Sequence, residues 1–123
     1  MKNLQWTAML ARAMALGIVV PAWAHHSHTM FDHTKDVTIT GTVVSFAYIN
    51  PHGSLDIAVQ DEAGQSVKYW IEMSNLTNMV DRGITRATFK AGDKVTVKLQ
   101  PLRDGRPGGS YINIVAADGK TYE

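Results

Sequence analysis

The sequence predicts an all-β domain with one short helix, and three observations lead to that prediction. Five segments alternate apolar with polar residues at period 2, and β-branched residues are frequent in them. A single segment, between the third and the fourth of these, has apolar residues at helical spacing. The 123 residues include no cysteine, so strand pairing and packing alone must stabilise what is, by length, one domain.

The first predicted strand is the longest, and a turn of defined chemistry follows it. β-branched residues occupy both faces of the segment from Val37 to Ile49, and Gly41 within it predicts a bulge or bend. The next residues, Asn50-Pro51-His52-Gly53, favour a tight turn, because proline fixes φ and glycine accepts positive φ.

Four more strands follow from the same period. Residues 55–60 and 67–73 alternate as a hairpin around the turn formed by residues 61–64. Residues 95–99 and 110–116 alternate as the fourth and fifth strands.

One short helix separates the third strand from the fourth. Residues 74–83 have a capping residue in front, a glycine behind, and apolar side chains at i, i+3 and i+4. The order strand-strand-strand-helix-strand-strand predicts an OB-fold-like domain, a five-stranded partly open barrel. A sandwich or an SH3-like barrel would produce much of the same pattern, but neither places a helix at that point.

The first 24 residues have the features of a secretory signal peptide. Lys2 and Arg12 are their only charges, residues 13–20 are apolar, and the small-residue triplet Ala22-Trp23-Ala24 follows Pro21. The apolar run is too short for a membrane-spanning helix, which needs about 20 residues. We therefore expect cleavage after Ala24, a periplasmic location and no membrane insertion of the cleaved protein.

The predicted organisation is a signal peptide at 1–24, a His-rich arm at 25–36, an OB-like barrel domain at 37–117 and a C-terminal tail at 118–123. The chain carries 12 Lys and Arg against 11 Asp and Glu, a formal charge of +1. Without the two basic residues of the signal peptide, ten basic side chains face eleven acidic ones. This balance argues against nucleic acid as a partner.

Several motifs resemble those of a family of small exported bacterial proteins of unknown function. Its members begin the mature chain with (Ala-)His-His-Ser, continue into a Thr-x-x-Gly-Thr-Val strand and then carry Asn-Pro-His. The matching segments in this chain are His25-His26-Ser27, residues 38–43, Asn50-Pro51-His52, residues 89–97 and Asp118-Gly119-Lys120. The resemblance implies export and an OB-like fold, and it brings no assigned activity.

The histidines are the strongest chemical signal, since all five lie between His25 and His52. If cleavage makes His25 the N-terminal residue, its imidazole and its α-amine, with a pKa of about 8, can bind one metal ion together. A third nitrogen from His52 or His28 would complete a T-shaped site that suits Cu(II). The sequence therefore predicts a site for copper or another divalent metal with His25, His26, His28 and His52 as candidate ligands.

Two alternatives stay open beside the metal hypothesis. In one, the histidines form only a solvated polar arm. In the other, the domain is a metal-free OB-type binding module for a small ligand, a glycan, a peptide or an envelope protein partner. Five aromatic residues are available for stacking in that case: Phe46, Tyr48, Tyr69, Trp70 and Tyr111. The sequence has no nucleophile, phosphate-loop or metalloprotease motif, so we predict no catalytic residues and no enzyme activity.

Overall fold

The computed structural model describes residues 28–123, whose main regular structure is a set of β-strands. A 3₁₀ turn spans His28–Met30, and one α-helix, α1, spans Leu76–Asp81. The strands are β1 Val37–Ala47, β2 Ser54–Gln60, β3 Ser66–Glu72, β4 Lys94–Pro101, β5 Gly108–Val115 and β6 Thr121–Tyr122. The predicted signal peptide, His25 and His26 lie outside the described residues. Within residues 28–123, no helix has the length and apolar character needed to cross a membrane.

The strands close into a barrel. Neighbouring strands pair antiparallel in the order β3-β2-β1-β4-β5-β6, and a parallel pairing of β3 with β5 closes a ring of five strands. The helix follows β3 and precedes β4, so the predicted OB-like barrel with one short helix is confirmed. The closing pairing is short and joins residues 70–72 to residues 108–110.

Two adjacent glycines make this closure possible. A Cβ on Gly108 would lie 2.3 Å from the backbone oxygen of Trp70, and one on Gly109 would lie 2.1 Å from that of Gln100. Both distances are far inside van der Waals contact, so only glycine lets β5 fit between β3 and β4. The resulting register places the last residue of β3 opposite Ser110, at the edge of the site described below.

Strand β1 pairs with two neighbouring strands and has an irregularity near its middle. Its first half pairs with β4 and its second half with β2. The bulge predicted at Gly41 lies instead between Val43 and Ser45, where the register shifts, so that Val43 and Phe46 both pack on the core. Gly41 has a different role, because a Cβ there would lie 2.5 Å from the backbone oxygen of Ala58.

Helix α1 packs on the core through Met79, which is fully buried. Its N-cap is Asn75, whose side chain accepts the backbone N–H of Asn78 at 2.8 Å. The helix is therefore shorter at both ends than the predicted range 74–83.

The described part of the predicted arm, residues 28–36, is not a free extension. Phe31 is 1% exposed, forms a backbone bridge with Leu102 and stacks on Trp70 with 6.5 Å between the ring centroids. A single aromatic residue in a polar segment has no periodicity to detect, so no sequence pattern predicts this docking.

The predicted tail, residues 118–123, also returns to the barrel. It contains β6, which pairs with the end of β5, and Tyr122 packs edge-on against Phe89 with 5.8 Å between the ring centroids. The domain therefore extends beyond the predicted boundary at residue 117 and includes β6.

Candidate metal site

The turn between β1 and β2 is attached to the segment that follows β3. Asn50 Oδ1 accepts the backbone N–H of Leu76 at 2.9 Å, so the turn holds the start of α1. Gly53 exchanges two backbone hydrogen bonds with residues 73–74, at 2.8 and 3.0 Å. These contacts fix the position of His52, which lies between the two anchor points.

The turn brings His52 to a buried carboxylate. His52 Nδ1 lies 3.8 Å from Oε1 of Glu72, the last residue of β3. Glu72 is only 8% exposed, and its Oε2 has no hydrogen-bond partner among the described residues. The His52 side chain is 44% exposed, so it connects this carboxylate with solvent. A buried carboxylate oxygen without a partner costs stability, and such a group calls for a functional explanation.

A cavity of about 230 Å³ contains both side chains in its wall. Its lining is completed by His28 and by five other residues: Met73, Ser74, Arg82, Ser110 and Tyr111. Imidazoles, hydroxyls, a carboxylate and a guanidinium thus converge on one recess, which suits an ion or a small polar ligand better than an apolar one.

The docked segment before β1 explains how His28 reaches this cavity. Met30 accepts the backbone N–H of Arg103 at 2.9 Å, and Phe31 accepts a hydrogen bond from Arg103 Nε at 3.0 Å. Together with the burial of Phe31, these bonds hold the 3₁₀ turn against the loop between β4 and β5. The turn carries His28 to the same cavity wall as His52.

His33 faces other partners. Its Nε2 lies 2.9 Å from the backbone oxygen of His28, and its Nδ1 contacts Oε1 of Gln100. Its sequence neighbour Asp32 accepts instead from the N–H and the hydroxyl of Thr34, at 3.1 and 2.6 Å. Because both ring nitrogens of His33 are engaged, neither is free to bind a metal ion.

Arg82 supplies positive charge to the cavity wall. Its Nη1 donates to the Tyr111 hydroxyl, and its guanidinium carbon lies 5.7 Å from the centre of the Tyr111 ring. In the described part of the chain, Glu72 pairs with His52, which is charged only when protonated, and not with Arg82. Among residues 28–123 the carboxylate therefore has no permanent cation at hydrogen-bond distance.

The structure brings together two of the four predicted metal ligands. His28 and His52 line one cavity, whereas His25 and His26 lie outside the described residues. Among residues 28–123, no three His, Asp or Glu side chains are close enough to hold a metal ion by themselves.

Sequence analysis missed Glu72. The alternation of Ile71, Glu72 and Met73 is typical of a strand whose polar residue faces solvent. All three are buried, because the chain leaves β3 here and the β1–β2 turn covers it. No local pattern in the sequence predicts that covering.

The aromatic residues considered for a metal-free module pack within the domain. Phe46 packs on Phe89, and Trp70 stacks on Phe31. The Tyr48 hydroxyl donates a hydrogen bond to the backbone oxygen of Ile84. Tyr69 and Tyr111 are partly buried against the core. All five aromatic residues are partly buried and keep some exposed surface.

Fold and site together define a small closed β-barrel protein with a polar cavity that contains two histidines and a buried glutamate. The chain belongs to DUF6152, a family of unknown function, whose model matches residues 14–112. This match confirms the resemblance to a family of unknown function and assigns no activity. No match was found among curated proteins or among solved structures.

Proposed function

We propose that this protein is an exported, periplasmic metal-binding protein rather than an enzyme, and that its ion is Cu(II). The ligands are drawn from His25, His26, His28 and His52. One observation carries the proposal: His28 and His52, from well-separated parts of the sequence, line a single cavity next to a buried carboxylate. Imidazole nitrogen is a common metal ligand and suits Cu(II).

Chain connectivity limits how far the other two candidate histidines can lie from His28. An extended chain spans at most about 3.6 Å per residue, so the Cα of His26 lies within about 7 Å of the His28 Cα, and that of His25 within about 11 Å. Cleavage after Ala24 would add the α-amine of His25 as a further nitrogen donor. His25 would then contribute two nitrogens and His52 or His28 a third, a set that favours Cu(II).

The test is a Cu(II) competition titration, with an EPR spectrum, on protein that has been exported and processed. Mass spectrometry establishes that His25 is its first residue, and a control protein carries one extra alanine before His25. We expect tight one-to-one binding that the extra alanine weakens by orders of magnitude. Weak binding of several ions, unchanged by the extra alanine, would contradict the proposal.

A pair of histidine variants tests the part played by the cavity. His52→Ala removes a candidate ligand from the cavity wall, and we expect a large loss of Cu(II) affinity. His33→Gln is the matched control, because both nitrogens of His33 already have partners. Equal losses of Cu(II) affinity in the two variants would mean that the metal ion is not bound in the cavity.

A further inference from the structure

The environment of Glu72 indicates that this residue does more than lie next to the proposed ligands. Its side chain is nine-tenths buried, it lines the cavity, and its Oε2 has no hydrogen-bond partner among residues 28–123. Folded proteins rarely keep a buried carboxylate unsatisfied, since the charge loses its hydration without receiving a hydrogen bond in return. A bound cation would supply the missing partner.

The distance to His52 fits a shared cation better than a hydrogen bond. The 3.8 Å between His52 Nδ1 and Glu72 Oε1 is too long for a hydrogen bond. In zinc sites, metal–nitrogen bonds are about 2.0–2.1 Å long and metal–oxygen bonds about 2.0–2.2 Å, so a nitrogen and an oxygen ligand of one ion of this size lie at most about 4.3 Å apart. His52 and Glu72 fall within that limit.

Arg82 and Met73, which also line the cavity, do not take the place of a cation bound to Glu72. Arg82 donates to the Tyr111 hydroxyl, and its guanidinium lies over the Tyr111 ring. Met73 is 2% exposed and packs in the core, as its apolar position in the sequence predicts, so its thioether is not presented to solvent.

We infer that Glu72 is a direct ligand of the ion, through a carboxylate oxygen, alongside His52. This inference rests on the proposed metal-binding function and adds to it a ligand and a chemical reason for selecting Cu(II) over Cu(I). A carboxylate favours the harder divalent ion, whereas Cu(I) favours thioether and thiolate sulfur. The site therefore binds Cu(II) in preference to Cu(I).

The test compares Glu72→Gln with wild type, both processed to begin at His25. Glutamine keeps the shape of the side chain and removes its charge. Glu62→Gln, in the exposed turn between β2 and β3, is the matched control. Affinities for Cu(II) and for Cu(I) are measured separately by chelator competition, and EPR spectra are recorded for each Cu(II) complex.

We expect Glu72→Gln to lower Cu(II) affinity by more than about 100-fold, beyond the 10–100-fold typical of residues that act only through a ligand. The EPR parameters should change with the loss of the oxygen donor, while Cu(I) affinity should change by less than tenfold. Glu62→Gln should match wild type throughout. Thermal melts of all three metal-free proteins establish that each is folded.

Three results would overturn the inference, and they separate it from the proposed function. If wild type binds Cu(II) tightly and Glu72→Gln binds it equally well, Glu72 is not a ligand but the proposed function stands. A smaller loss with an unchanged EPR spectrum would make Glu72 a positioning residue for His52. If wild type itself does not bind Cu(II), the proposed function fails, and the inference fails with it.

Discussion

The two turns at opposite ends of β2 are built in different ways. In the turn between β2 and β3, Asp61 Oδ1 accepts the backbone N–H groups of Ala63 and Gln65 at 2.9 and 2.8 Å. Gly64 donates its own N–H to the backbone oxygen of Asp61 at 2.9 Å. All of these contacts join residues that are close in sequence, and all lie at the exposed surface.

The turn between β1 and β2 depends on distant residues instead. Asn50 binds the N–H of Leu76, 26 positions away, and His52 faces Glu72 at the end of β3. This turn leaves a buried carboxylate oxygen without a partner in the described part of the chain. A turn that only reverses the chain completes its hydrogen bonds locally, whereas one that forms a site takes its partners from other elements.

The largest expected effect is on stability, and it comes from a glycine-to-alanine change that is made in each turn separately. Gly53→Ala would place a Cβ 2.7 Å from the Ala47 backbone oxygen and 3.0 Å from Met79 Cε, and we expect a loss of about 2–3 kcal/mol. In Gly64→Ala the added Cβ meets no atom within 4 Å, and the only cost is the positive φ of 77°, which alanine disfavours by about 1 kcal/mol. Thermal unfolding measures both losses, at roughly 4–8 °C per kcal/mol.

Equal melting temperatures for the two glycine variants would contradict this comparison. The same variants also separate stability from binding. Gly53→Ala should weaken Cu(II) binding because it moves the turn that carries His52, whereas Gly64→Ala should leave Cu(II) binding as in wild type.

The next expected effect is a gain in the stability of the metal-free protein, whereas the glycine variants lose stability. Glu72→Gln removes a buried charge that has no hydrogen-bond partner at Oε2 among the described residues, so we expect the metal-free protein to become more stable by about 1–2 kcal/mol. The matched change Asp61→Asn, in the self-contained turn, should give a small loss instead. Chemical denaturation without metal measures both. A loss of stability in Glu72→Gln would mean that its carboxylate already has a stabilising partner.

Much of the fold is predictable from the sequence, because its elements depend on local patterns. Alternation along each strand, the turn residues and the spacing of apolar residues in α1 all act over at most eleven residues, the length of β1. The exceptions depend on approach between strands. The bulge is predicted at Gly41 but lies between Val43 and Ser45, because a glycine within a strand pattern does not distinguish a bulge from a close approach to a neighbouring strand, which is what Gly41 makes with Ala58.

The candidate site is less predictable, and for a physical reason. The sequence identifies His28 and His52 as metal-binding residue types, but their presence in one cavity wall depends on the burial of Phe31, a single aromatic residue in a polar segment. Glu72 has no sequence signal, since only the long-range hydrogen bonds of the β1–β2 turn bury it. Residue types are local information, whereas burial of a charge is a property of the assembled domain.

The smallest expected effect concerns Asp32, a second carboxylate with local partners that contrasts with Glu72. The hydroxyl and the N–H of Thr34, with a smaller contribution from Lys35, lower the pKa of Asp32 from 3.8 to about 2. Because the pKa is lower in the folded state, the stabilisation is complete above the unfolded value, near 4, and is lost as pH falls through about 2. NMR titration of the Asp32 carboxyl carbon should show this low midpoint, and Thr34→Ala should move the midpoint up towards 3.8. A wild-type midpoint already near 3.8 would mean that the bonds to Thr34 do not persist in solution, and Asp32 would then no longer exemplify a locally satisfied carboxylate.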